Sequence, residues 1–140
     1  PISSFSLDEH LMSCLETMEK IGLYIMLFSI LSLYLFKLPL PGPDLFKPAL
    51  MGFLEITTGI RNICEHASGL SGLLLVTASV SFGGISGIFQ TRSVLMRNSG
   101  RKNAGLSIRH YIFWKALHSL LSCIFLLILW KLYASSFFSS

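Results

Sequence analysis

Between His66 and Arg92 the chain runs for 25 residues, Ala67 to Thr91, without one charged side chain. A helix needs about 20 predominantly apolar residues to cross the hydrocarbon core of a bilayer, so this run is long enough. Two shorter runs repeat the pattern. Ile21–Phe36 is uncharged between Lys20 and Lys37, and Ala116–Trp130 is the uncharged centre of a last span from about Ile108 to Tyr133. Trp114, Trp130 and Tyr133 fall towards the ends of that span, as interfacial aromatics do. Only 13% of the residues are charged and 52% are hydrophobic. Soluble domains carry about 25% charged residues, so lipid is the expected solvent. The fold class that follows is an all-α integral membrane protein with three to four membrane segments.

The N-terminal residues read differently. Ser6-Leu7-Asp8-Glu9 fits a capping box, and Leu7, Leu11, Cys14, Leu15 and Met18 share one face of the helix it would start. That predicts an amphipathic lead-in over 1–20, which runs into a span over about 18–38. The membrane domain then covers 21–133, with a tail over 134–140. The chain opens on Pro1 with no signal-peptide pattern in its first ten residues, as expected of a fragment.

"PLPGPDLFKP", residues 39–48, carries four of the five prolines and predicts a rigid turn. From Ala49 a helix can resume through "LMGFLEITTGIRNIC", but it is short and holds Gly52, Glu55 and Gly59. Such a segment reads as a broken or re-entrant helix, tolerated at membrane depth only where protein or a water-filled cavity shields it.

Arg92, Arg97, Arg101, Lys102 and Arg109 share one polar connection that has no acidic residue. Excess Lys and Arg mark cytoplasmic loops, so residues 92–109 are expected inside. No aromatic or polar readers interleave with these charges, so a nucleic-acid partner is not expected. The N-terminus lies outside if the 48–66 segment crosses, and inside if it is re-entrant. Cys14, Cys64 and Cys123 form no C-x-x-C pair, and His10, His66, His110 and His118 are scattered. Neither a metal, a cofactor nor an enzymatic centre is expected from these residues.

Two stretches remain. A carboxylate at the bilayer centre costs about 2.5–3.5 kcal/mol, and Glu55 has neither Lys47 nor Arg61 at the i±3 or i±4 spacing that would pair it. Thr57 and Thr58 stand beside it. The expected partner is "SFGGISGIFQ", residues 81–90, which offers Ser81, Ser86 and Gln90 as hydrogen-bonding side chains. Gly83, Gly84 and Gly87 in that stretch predict an interruption midway through a run otherwise long enough to span.

These two blocks resemble the C-terminal part of sporulation integral membrane proteins of the YlbJ type, in the nucleoside-recognition or Gate-domain superfamily. Gly52, Glu55, Thr57 and Gly59 match a pattern G-x-x-E-x-T-x-G. Ser81, Phe82, Gly83, Gly84, Ser86 and Gln90 match S-F-G-G-x-S-x-x-x-Q. The resemblance covers about residues 20–133. It implies a protein of a bacterial inner membrane, extending to the forespore membrane, similar to one repeat of a transporter built from two inverted repeats. It also implies a site for a small polar or anionic metabolite, with a coupling cation, formed by Glu55, Thr57, Thr58, Ser81, Gly83, Gly84, Ser86 and Gln90. The first repeat of the family is absent, so a second copy or another chain would supply the other half. A membrane scaffold for spore-envelope assembly, whose polar residues only lock helices, is the alternative.

Overall fold

In lipid the backbone must satisfy its own hydrogen bonds, and helices do so within one segment. The computed structural model describes residues 4–98 and 107–138. It holds six helices among these: α1 Ser4–Lys37, α2 Phe46–Leu54, α3 Ile56–His66, α4 Gly69–Phe82, α5 Gly84–Asn98 and α6 Ile108–Phe138. Helix makes up 89%, and the described residues contain no strand. Three stretches are long and apolar enough to cross a membrane: Leu7–Lys37, Gly69–Val94 and Ile108–Ala134. The chain is therefore a multi-pass membrane protein.

α1 is a single helix of 34 residues, about 50 Å long at 1.5 Å per residue. The amphipathic lead-in and the first span are thus one rod. Helix begins at Ser4, so Ser6 lies inside the first turn and does not cap it. At the other end of the chain, α6 continues past Tyr133 through most of the expected tail.

The turn over 39–48 is shorter than its prolines imply. α2 starts at Phe46, and Pro48 sits in its first turn, where a missing N–H leaves no intrahelical bond unmade. The chain then breaks at Glu55, whose backbone is extended at φ −144° and ψ 123°.

α2 and α3 fold back on each other as a hairpin with Glu55 at its tip. Its core is glycine against glycine. A Cβ on Gly59 would strike the Gly52 backbone, and one on Gly52 would strike Ser79 Oγ and lie 2.9 Å from Ile63 Cδ1. Met51 and Ile63 are buried beside them. Both ends of the hairpin meet at one cavity of about 410 Å³, lined among others by Phe36, Lys47, Pro48 and His66. The 46–66 segment therefore folds back on itself instead of running on as one span.

Contacts at three levels set the surrounding helices. Beside the hairpin base, the Phe36 ring of α1 lies 5.5 Å from His66. Beyond the tip, Phe89 of α5 packs against Tyr24 and Phe28 of α1, with ring centroids 5.9 and 5.4 Å away. α6 runs antiparallel to α4, with Ser119 Oγ donating to Ala78 O at 3.0 Å and Cys123 Sγ facing Leu74 O at 3.9 Å. The N-terminal part of α1 thus lies on the same side as the end of α5.

The span through residue 83 is interrupted where the glycines predict. Gly83 caps α4 at φ 83° and ψ 11°, and Gly84 follows at φ 69°. Gly87 lies inside α5, so the interruption is confined to the pair. A side chain in the left-handed region costs about 1–2 kcal/mol. Gly83→Ala is expected to lower the melting temperature in detergent, and Gly87→Ala to leave it equal or higher, since Gly87 lies inside α5 with open space around it.

Candidate functional site

The extended conformation at Glu55 turns its side chain back over the start of α3. Oε1 accepts from Thr57 N at 3.0 Å, while Oε2 accepts from Thr58 N at 2.8 Å, Thr57 Oγ1 at 2.6 Å and Thr58 Oγ1 at 2.8 Å. Ser29 Oγ of α1 adds a longer donation to Oε2 at 3.4 Å. The carboxylate is 1% exposed and sits at the positive end of α3, where N–H groups without intrahelical partners favour a negative charge. The break in the helix is what makes a buried carboxylate affordable here.

This corrects the expectation that the 81–90 side chains pair with Glu55. Gln90 Nε2 instead donates to Ser86 Oγ at 2.9 Å, one turn away on α5. Ser86 is buried, and Ser81 is half-buried with no hydrogen bond among the described residues. Arg61, six residues on, pairs with Glu65 on the exposed side of α3 at 3.0 Å.

The backbones, however, do meet. A Cβ on Gly84 would lie 3.3 Å from Leu54 O and 3.5 Å from Ile56 N. The two interruptions, at Glu55 and at Gly83–Gly84, therefore sit against each other, close enough that a side chain at Gly84 would crowd the Leu54 carbonyl. Gly84 is buried there. Four helix ends converge: the C-terminal ends of α2 and α4, and the N-terminal ends of α3 and α5. Gly83 lies near the middle of the Gly69–Val94 stretch, so the junction falls midway along a helix pair long enough to cross a membrane. Thr57 is exposed at the hairpin tip and Thr58 half-buried, so the junction is open on the side of Thr57.

Residues that the sequence does not single out complete the surroundings. Ser29 comes from α1. Lys115 comes from α6, where its Nζ lies 3.5 Å from the position of a Cβ on Gly83. Among the described residues this ammonium has neither an ion pair nor a hydrogen bond. Its signal was a lone lysine seven residues into a span. Ser29 and Ser32 also had one: two serines three apart, about one turn, in the uncharged Ile21–Phe36 run. The five basic residues expected in one connection are not all there: Arg92 and Arg97 lie on α5 and Arg109 on α6, with Arg92 and Arg109 exposed. Arg101, Lys102 and the Arg97 side chain lie outside the described residues.

The described residues hold no group of three His, Cys, Asp or Glu that could bind a metal. No protein-family model matches the chain, and comparison with curated proteins and with solved structures finds no significant match.

Proposed function

We propose that this chain is one half-unit of a transporter or permease for a small polar or anionic metabolite in a bacterial cell membrane. One observation carries the reading: two interrupted helices abut midway along a helix pair long enough to cross a membrane, with a buried carboxylate at one interruption. Transporters with discontinuous helices place half-helix ends of both signs around substrate and coupling ion in this way. Glu55 takes the cation, and the α4–α5 junction with Ser81, Gly83, Gly84, Ser86 and Gln90 takes the metabolite. The other half comes from a second repeat. Windows of α1 and α6 are only 11% and 6% buried within the chain, which leaves apolar faces for lipid and for that repeat. The link to sporulation rests on the resemblance of the two sequence blocks alone.

The scaffold reading has one observation in its favour. Glu55 is saturated by donors from its own hairpin, as a purely structural cap would be.

A thermal-shift screen in detergent, across nucleosides and small carboxylates, separates the two. Transport predicts a stabilising ligand whose effect disappears in Glu55→Gln or Lys115→Met. A flat response across both classes favours the scaffold.

Orientation has its own test. With the 92–109 connection cytoplasmic and the hairpin re-entrant, the N-terminus is also cytoplasmic. A cysteine placed at Asn103, in a chain without native cysteines, is expected to resist an impermeant thiol reagent added outside intact cells. Labelling from outside would reverse the topology.

A further inference from the structure

α1 touches the hairpin at two fixed points. Ser29 donates to Glu55 at the tip, and the Phe36 ring meets His66 at the base, 5.5 Å between centroids. Ser32 falls between those points on α1, one turn from Ser29. Asn62 falls between them on α3, where its own carbonyl oxygen lies 2.9 Å from His66 Nδ1. Ser32 Oγ and Asn62 Oδ1 are both buried without a hydrogen-bond partner, and Ser32 is 0% exposed. A third such atom, Ser79 Oγ, packs on Gly52 from α4 and is a separate case.

A buried polar atom left unpaired costs about 1–3 kcal/mol. Native interiors pair such groups, or fill the gap with ordered water or an ion. By position along α1 and α3, these two oxygens fall between Glu55 and the pair Phe36 and His66, which line the cavity of about 410 Å³ at the hairpin base. The cavity itself is lined by Asp44, Lys47 and His66; beyond it, in order along α1 and α3, come the neutral side chains of Asn62, Ser32, Ser29 and Thr58, the last two donating to Glu55.

We propose that the interface between α1 and the hairpin is a hydrated route by which a small monovalent cation reaches Glu55 from the hairpin base. This rests on the reading of Glu55 as the cation-binding group. Neutral oxygens along the way replace hydration water without adding charge. One monovalent cation cancels the single carboxylate, whereas a divalent ion would leave a net positive charge at membrane depth, which is costly. An anion would meet repulsion at the inner end.

The test is thiol accessibility in sealed vesicles, in a chain whose Cys14, Cys64 and Cys123 are replaced. Ser32→Cys and Asn62→Cys are treated with a charged, impermeant thiosulfonate from each side in turn. Leu33→Cys, on the exposed apolar side of α1, is the control. Thiols react as thiolates, which form in water and not in hydrocarbon, so both route variants are expected to react about tenfold faster than the control. Reaction should occur from the hairpin-base side only, and sodium chloride in place of N-methylglucamine chloride should slow it. Reaction no faster than Leu33→Cys in both variants overturns the route. Reaction that sodium leaves unchanged overturns the cation. Each variant must elute as the parent does, and either one alone carries the result. Labelling needs no transport, so a reactive, sodium-protected route in a protein that moves no metabolite would fault the transport reading alone.

Discussion

Uptake into proteoliposomes by the Glu55→Gln variant is expected to fall by about 30-fold or more, since hydrogen bonds to a charged group contribute about 1.5–3 kcal/mol. The reason lies in what surrounds the carboxylate. Both oxygens face donors, with Thr57 N on Oε1 and Thr58 N among those on Oε2. An amide supplies one acceptor oxygen, and its NH₂ then points at a donor. Gln therefore loses the charge that a cation needs and also weakens the start of α3, by about 1 kcal/mol for a lost cap. Abundance in the membrane should stay near that of the parent, with a modestly lower melting temperature. Glu55→Asp keeps the charge and is itself a favoured cap, so partial activity is expected. Gln90→Leu removes one of the side chains assigned to the metabolite and frees Ser86 Oγ, but it leaves the charge in place and should impair uptake less than Glu55→Gln. Full uptake by the Gln variant would return Glu55 to the role of a helix cap.

Gly59→Ala is expected to be the most damaging single methyl in the chain. Its Cβ would meet the Cα and N of Gly52 and the carbonyl carbon of Met51, all backbone atoms that no rotamer change can move. Overpacking a core costs about 1–3 kcal/mol when side chains can adjust. Here the two arms of the hairpin must separate, so the loss should reach or exceed the top of that range. Gly52→Ala meets the Ser79 hydroxyl and the tip of Ile63, both of which can shift, and should cost less. Melting temperatures in detergent check the order: parent highest, Gly52→Ala lower, Gly59→Ala lowest or too unstable to purify. A Gly59→Ala protein as stable as its parent would mean that the hairpin is not closed as described.

The helices that span, and the places where they break, were legible because both depend on local chemistry. Uncharged runs between His66 and Arg92, or Lys20 and Lys37, report length directly, and adjacent glycines at 83 and 84 report a backbone without side chains. The partners of Glu55 were not legible. Ser, Thr, Asp and Asn are the usual caps because their short side chains reach the N–H groups two and three residues on. Glutamate is one methylene longer and is not read as a cap until its extended backbone is known. Gln90 misled for a related reason: its nearest acceptor, Ser86, is one turn away on its own helix. Ser29, Ser32 and Lys115 belong to distant segments. Helical spacing tells which residues share a face but not which neighbour that face meets.

The closed hairpin has a consequence for how two halves can assemble. Because it returns to its own side, only α1, α4–α5 and α6 carry the chain across, and three crossings leave the start of α1 and the end of α6 on opposite faces of the bilayer. A duplicate joined directly to the end of α6 would thread back upside down, as an odd count dictates, whatever its own sequence prefers. Separate copies behave differently. Each carries the same basic stretch at 92–109, so each is driven into the same orientation. A parallel pair of this chain cannot supply an antiparallel mate. On the transporter reading, an inverted second half would have to come from a tethered duplicate or from a different polypeptide whose arginine and lysine bias is reversed.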